Sequence, residues 1–199
     1  IKKAIDDGLE CKVMRLGQMT GDSQNGKGVR WDDHLMLQLK ECVLSAYAAD
    51  WPNEKRSFIP CDYAAKIIVA LTFGKQVENG VYNISYEAIT WRAIIAYLNK
   101  LGYNIKLIPP EKWLEIGRAR GDESLLPALI PYYAIDGKLT NQFPFIDQLT
   151  SGRVDTTKTK AALKQLEANI ALVSPEQLLE RYVGYFIESG FFPEPAGHN

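Results

Sequence analysis

Cys11-Lys12-Val13-Met14-Arg15-Leu16 runs directly into Gly17-Gln18-Met19-Thr20-Gly21-Asp22-Ser23-Gln24-Asn25-Gly26-Lys27-Gly28, and the reading of the fold starts there. The first six residues form a short, mostly apolar run of the kind a buried strand needs. The next twelve place four glycines among polar turn formers and read as a flexible loop. Upstream, Ile1-Lys2-Lys3-Ala4-Ile5-Asp6-Asp7-Gly8 has no starting Met and reads as the last turns of a helix closed by Gly8. A helix without its beginning implies a fragment or a cut chain.

Downstream, Asp32 is placed to cap a helix in which Leu35, Met36, Leu39, Val43 and Tyr47 recur at steps of three and four. Pro52 stops that region, and Ser57-Phe58-Ile59 is extended because Pro60 disfavours helix before it. Pro60 opens a second helix through Phe73, with Asp62 in its first turn and Gly74 beyond its end. Val81-Tyr82-Asn83-Ile84 is the second buried strand. Thr90 caps a helix carrying Ile94, Ile95, Leu98 and Leu101, closed by Gly102. Ile105–Ile108 is a further strand, and Pro109-Pro110 starts a short helix with Trp113 and Leu114. Between Gly121 and Gly152, Pro127, Pro131 and Pro144 prevent long elements while Leu125, Leu126, Leu129, Ile130, Tyr132 and Tyr133 still ask for burial. That mixture suits a wall or lid around a ligand, or equally a packed connection. Ser174-Pro175-Glu176-Gln177 supplies a capping box for a last helix with Leu178, Leu179, Tyr182, Val183, Phe186 and Ile187 on one stripe, ended by Gly190. No internal repeat is visible.

Alternation of strand and helix argues for a parallel sheet with crossovers. The strand near residue 13 is expected to lie parallel to the strand near residue 82. Two central strands are too few for a stable parallel sheet, and helices dominate the remainder. The expected architecture is α/β: a mostly helical lobe attached to the last parallel strands of a sheet whose earlier strands lie elsewhere.

Composition narrows the function. The 199 residues contain 23 Lys+Arg and 24 Asp+Glu, a net charge of −1, so no global field favours nucleic acid or an anionic membrane. Hydrophobic residues at 46% and charged residues at 24% are those of a folded chain. Apolar runs such as Ile67–Leu71 fall far short of the ~20 residues of a membrane span. Cys11, Cys42 and Cys61 cannot all pair and form no C-x-x-C, which suggests reduced core thiols in a reducing, cytoplasmic compartment. Asn83-Ile84-Ser85 matches a glycosylation acceptor by chance, since nothing resembles a signal peptide.

Several chemistries are excluded. Gly21–Gly28 nearly fits a phosphate loop, but Gly28 stands where a magnesium-binding hydroxyl is needed and no helix opens from Lys27. No G-x-G-x-x-G is present. No tyrosine has a lysine four residues on: Tyr63–Lys66 and Tyr97–Lys100 are one residue too close for the pairing that lowers a tyrosine pKa. His34 opens a helix and His198 sits in the tail, so neither a Ser-His-Asp triad nor a histidine metal site is assigned. Asp32-Asp33 reads as a dipole-matched helix start, and Lys112, Arg118 and Arg120 as a solvated basic face.

Taken together, five segments resemble one family. They are Val13–Ser23, Phe58–Ile68, Val81–Ile84, Leu98–Tyr103 with Trp113, and Tyr182–Glu194 with Gly190-Phe191-Phe192-Pro193. Their order is similar to the C-terminal part of thioester reductase domains, extended short-chain dehydrogenases found in nonribosomal peptide and polyketide synthases, carboxylic acid reductases and aminoadipate reductases. The resemblance spans roughly residues 10 to 195. It implies that the catalytic Tyr-x-x-x-Lys and the Gly-rich dinucleotide motif lie upstream, in a missing N-terminal Rossmann part, and that no catalytic residue is in this chain. It further implies that residues 1–30 end the dinucleotide-binding part and 31–199 form a mostly helical substrate lobe, with the strand near 81–84 returning to the sheet. Leu16-Gly17-Gln18-Met19 matches the segment along the nicotinamide, where Gly17 lets backbone approach the ring; the family usually has proline where Leu16 stands. The whole enzyme would use NADPH to reduce an acyl or peptidyl chain held on the phosphopantetheine arm of a carrier protein, releasing aldehyde or alcohol. Met36, Tyr132, Tyr133 and Phe143 are the candidate lining residues, with core packing the competing account of Met36. The chain alone is expected to be inactive and to bind no NADPH tightly.

Two other readings stay open. One is another extended short-chain dehydrogenase, such as a fatty acyl-CoA reductase or a nucleotide-sugar epimerase or dehydratase; the apolar Leu125–Tyr133 counts against a sugar nucleotide. The other is a non-catalytic carrier-docking module, against which stands the open strand edge at Val13–Leu16.

Overall fold

A computed structural model describes residues 2–135, 138–139, 154–170 and 173–196, with backbone alone at 2, 130–135 and 138–139. In chain order the elements begin with α1 (Lys2–Asp6), β1 (Lys12–Leu16), β2 (Met19–Thr20), α2 (His34–Ser45), β3 (Tyr47–Ala49), β4 (Lys55–Ser57), β5 (Ile59–Pro60) and α3 (Cys61–Phe73). They continue with β6 (Gly80–Ile84), β7 (Ala88–Thr90), α4 (Trp91–Lys100), β8 (Lys106–Ile108), α5 (Pro110–Ala119), a 3-10 turn (Gly121–Glu123) and α6 (Leu126–Tyr133). The short hairpin β9 (Ala134–Ile135) and β10 (Lys138–Leu139), then α7 (Thr157–Gln165) and α8 (Pro175–Glu188), complete the described chain.

β1 and β6 pair in parallel from Lys12↔Gly80 to Leu16↔Ile84, as their apolar runs predict. Backbone bonds lengthen the ladder at both ends, Gly80 N to Cys11 O at 2.9 Å and Gly17 N to Ile84 O at 3.3 Å. Two further parallel pairs follow, β2 with β5 and β3 with β8, while β4 and β7 are antiparallel. The expected α/β architecture is therefore present: helices dominate, and each strand pair is short. α3 packs on β1, β2 and β5, and α7 packs on β6 and α3.

Helix ends explain most of the boundaries. Thr90 Oγ1 accepts from Ala93 N, and Ser174 and Gln177 form the expected capping box. Pro60 precedes α3 and Gly74 closes it. α2 departs from expectation at both ends. Its cap is Asp33 rather than Asp32, whose carboxylate pairs with Arg30, and it stops at Ser45 instead of continuing to Tyr47. Ala46 adopts a left-handed φ of 57°, and Tyr47 leaves to pair with Lys106 in the β3–β8 ladder. Periodicity cannot foresee that change, because Tyr47 suits either element. α7 escapes the sequence reading for the opposite reason: Thr-Lys-Thr-Lys-Ala-Ala-Leu-Lys-Gln has little apolar stripe, and its start is marked only by Asp155 accepting from Thr157 N. The prolines leave α6 eight residues long.

The core gathers Leu35, Met36, Leu39, Ile67, Leu71, Tyr82, Trp91, Ile94, Leu98, Trp113, Leu178, Tyr182 and Phe186, all essentially without exposure. Each large apolar side chain removed from water stabilises by ~1.5–3 kcal/mol. β3 is pinned from two sides, since Trp91 Nε1 donates to Ala49 O at 2.9 Å and Trp113 Nε1 to Tyr47 O at 3.1 Å. All three thiols are free, but only Cys42 is a core residue; Cys11 and Cys61 are half-buried, which corrects their assignment to the interior.

Candidate functional site

Parallel strands present ligands at their carboxyl ends. Here those ends are Leu16 and Ile84, and the chain leaves Leu16 through Gly17 and Gln18 into β2. Leu16, Gly17 and Gln18 are half-buried, whereas Met19 is 51% exposed. Two backbone groups of the segment are engaged: Gly17 N donates to Ile84 O at 3.3 Å, and Gln18 O accepts from Ile59 N at 3.0 Å. The Gln18 side chain donates from Nε2 to Asp33 Oδ1, and the same oxygen caps α2 by accepting from Leu35 N at 2.9 Å. One carboxylate thus joins the segment at the end of β1 to the first turn of α2.

The loop that follows is folded, which corrects its reading as flexible. Asp22 N donates to Lys27 O at 2.7 Å and Gly26 N to Asp22 O at 2.9 Å. Asp22 Oδ1 accepts from Gln24 N and Asn25 N. A side chain at Gly21 would meet Gly26 O at 2.2 Å, so this turn closes only with glycine. From α3, Asp62 accepts from Ser23 N and from Ser23 Oγ, both at 2.8 Å, and pairs with Lys66 at 3.2 Å. Burial works against the Asp62 carboxylate, but the bonds from Ser23 and Lys66 prevail and hold its pKa below the ordinary range. From α8, Arg181 Nη1 donates to Ser23 O at 2.6 Å. Tyr182 donates to Gly21 O at 2.8 Å and shares a 2.6 Å bond with Thr20 Oγ1. Burial pushes the Tyr182 phenol far above its usual range, so it stays protonated. Cys61 is likewise pushed up, by burial first and then by Asp62 and Asp22, which disfavours its thiolate.

The remaining sequence candidates lie on other elements. Met36, 1% exposed, is a core residue of α2. Tyr132 and Tyr133 close α6, which packs against α2, and only their backbone is described. Phe143 lies outside the described residues. Of the basic group, Arg120 is not a free surface charge: its Nη1 meets the buried Glu41 carboxylate at 2.6 Å. Glu41 also accepts from Ser124 Oγ at 3.1 Å and Leu125 N at 2.7 Å, fixing the entry to α6. Sequence reasoning passed over Thr20, Ser23, Asp62, Glu41 and the Tyr182 hydroxyl. The signal for each is a polar atom on an otherwise apolar stripe, or a turn residue before a helix, and neither names its distant partner.

Among the described residues, no helix is long and apolar enough to cross a membrane, and no group of three or more His, Cys, Asp or Glu could hold a metal ion.

The overall fold recurs in solved structures. The terminal R domain from the myxalamid PKS-NRPS biosynthetic pathway matches 98% of the chain with a TM-score of 0.80 at 21% identity. A thiolation-reductase di-domain from an archaeal nonribosomal peptide synthetase matches 96% with a TM-score of 0.73 at 22% identity. In sequence, the L-2-aminoadipate reductase large subunit of Eremothecium gossypii is 25% identical over 98% of the chain, and L-2-aminoadipate reductase of Saccharomyces cerevisiae is 26% identical over 100% of the chain. The chain is thus similar in sequence to aminoadipate reductases and in fold to reductase domains of nonribosomal peptide synthetases. It spans 14% of the length of those aminoadipate reductases and 48% of the myxalamid domain chain. No protein-family model matches it. The fold shared with that R domain accounts for the parallel β1–β6 pair and for the mostly helical remainder in one architecture.

Proposed function

We propose that the chain is the substrate-binding lobe of an NADPH-dependent thioester reductase that releases an acyl or peptidyl chain from a carrier protein. In this reading residues 1–30 end the dinucleotide-binding part and 31–199 form the lobe. The observation that supports it best is the match over 98% of the chain to a terminal R domain, with the carboxyl end of β1, paired to that of β6, leading into the Leu16–Met19 segment. That segment fits a nicotinamide ring: it lies at a strand end, carries Gly17 for close approach, and exposes Met19. It does not fit the pyrophosphate, for which the chain has no glycine-rich turn opening a helix. When bound, NADPH would supply a hydride to the thioester carbonyl carbon, with the C–S bond breaking and the arm's thiol taking a proton as aldehyde leaves. In this chain, Gly17 and Met19 would border the ring, Gln18 would hold the segment to α2, and the α2–α6 side would receive the acyl chain. Proton delivery belongs to residues outside it, since no Tyr-x-x-x-Lys is present.

The test uses calorimetry and turnover. The 199-residue chain titrated with NADPH is expected to give no binding in the micromolar range. The longer polypeptide that contains it is expected to oxidise NADPH only when a carrier-bound acyl thioester is supplied. Micromolar binding by the chain alone, or NADPH consumption that follows nucleotide sugar or free acyl-CoA instead, overturns the assignment.

A further inference from the structure

The C-terminal helix reaches back 161 residues to the segment after β1 through a single hydroxyl. Gly21 O can only accept, so the Tyr182 proton is committed to it at 2.8 Å. The 2.6 Å contact with Thr20 Oγ1 must then run the other way, from the threonine hydroxyl to the tyrosine oxygen. Tyr182 is 1% exposed and Thr20 4%, so water replaces neither bond. The same turn of α8 closes the contact further along. Arg181 holds Ser23 O, and Gly26 packs so tightly that a Cβ there would meet Arg181 O at 3.0 Å and Tyr185 Cβ at 3.1 Å. Phe58, the residue before β5, packs edge-on to the Tyr182 ring at 6.2 Å. Residues 20–26 are therefore docked on α8 rather than tethered to β1 alone.

We propose that Tyr182 is a positioning residue that sets the placement of Gly17–Met19 through Thr20 and Gly21, and thereby the affinity for the nicotinamide cofactor; this rests on the function proposed above. In this role Tyr182 acts through Thr20 and Gly21 and not on the cofactor itself. Its hydroxyl fixes the two residues that follow Met19, and the Gln18–Asp33 bond fixes the side before it. With the segment held from both sides, its backbone is preset for the ring instead of being ordered on binding. A lost hydroxyl should thus weaken cofactor binding in ground and transition states alike, raising KM with little change in kcat.

Two measurements test this, with Tyr103→Phe as the control. Tyr103 is also a buried tyrosine, 9% exposed, that donates to a carbonyl, Pro193 O at 2.7 Å, and packs edge-on to Phe192, past the C-terminal end of α8. In the 199-residue chain, Tyr182→Phe is expected to speed amide exchange across residues 17–26 about tenfold more than Tyr103→Phe does. In the longer polypeptide, Tyr182→Phe is expected to raise both the calorimetric Kd and the KM for NADPH about five- to tenfold, with kcat kept within about twofold. Thr20→Val should reproduce both effects, and Thr20→Ser, which retains the hydroxyl, should restore them. Equal exchange in the two tyrosine variants, or an unchanged NADPH Kd in Tyr182→Phe, overturns the proposal. If the unaltered longer polypeptide consumes no NADPH, the function above fails, while the exchange experiment still decides whether Tyr182 holds the segment.

Discussion

Around Tyr182 the buried polar atoms are hydroxyls and carbonyls, whereas on the α2 side of the molecule they are charges. Arg56 in β4 is fully buried, forms an ion pair with Glu54, donates to Gln38 Oε1 at 3.0 Å and lies over the Trp91 ring. Glu41, one turn further along α2, is 1% exposed and takes three donors from the α5–α6 connection. A neutral buried bond contributes modestly and costs moderately when broken. A buried ion deprived of its partner leaves an uncompensated charge. The proposed role of the α8 contact, tuning placement, suits its neutral bonds, while the buried charges hold α2 to β4 and to the α5–α6 connection.

The sharpest way to break this contrast is Arg56→Met. It strands Glu54 and is expected to destabilise the chain by ~3–5 kcal/mol in urea unfolding. Adding Glu54→Leu should recover much of that loss; a double variant as unstable as the single one would show that the charge pair is not what sets the cost.

Acid comes next. Burial first, and then the Arg56 charge, lower the His34 pKa to about 4. The folded state thus holds His34 neutral where the unfolded chain, near 6.5, takes up a proton. Stability from this group is intact above pH ~6.5 and falls as pH drops towards 4, by about 2 kcal/mol between pH 7 and pH 5. His34→Gln should flatten that part of the profile. A wild-type urea midpoint constant over the same range would mean that the histidine is not held neutral.

The smallest effect is expected at the exposed cap of α8. Ser174→Ala removes a capping box and should cost about 1 kcal/mol. Because Ser174 lies two turns from Tyr182, exchange over residues 17–26 should stay nearly unchanged. A large increase there would mean that helix stability, rather than the Tyr182 hydroxyl, holds the segment.

Local chemistry made several elements legible. The β-branched and apolar runs at 11–16 and 81–84 announced the parallel pair, and Thr90, Pro60 and Ser174 marked helix starts where they stand. The antiparallel β4–β7 pair was not legible, since Lys55-Arg56-Ser57 carries charge into a strand whose burial depends on α2 and Trp91. Nor was the compactness of the Gly21–Gly28 turn, because glycine density predicts backbone freedom and says nothing of a partner that removes it.

From its sequence alone the protein determined its caps, its strand runs and the order of segments that relates it to reductase domains, since these depend on neighbours within a turn or two of helix. Tertiary structure decided that Tyr182 meets Thr20, that Asp62 receives Ser23, and that Glu41 receives Arg120. Those pairs are 162, 39 and 79 residues apart, and a donor finds its acceptor at such separations only after apolar burial has brought the helices together.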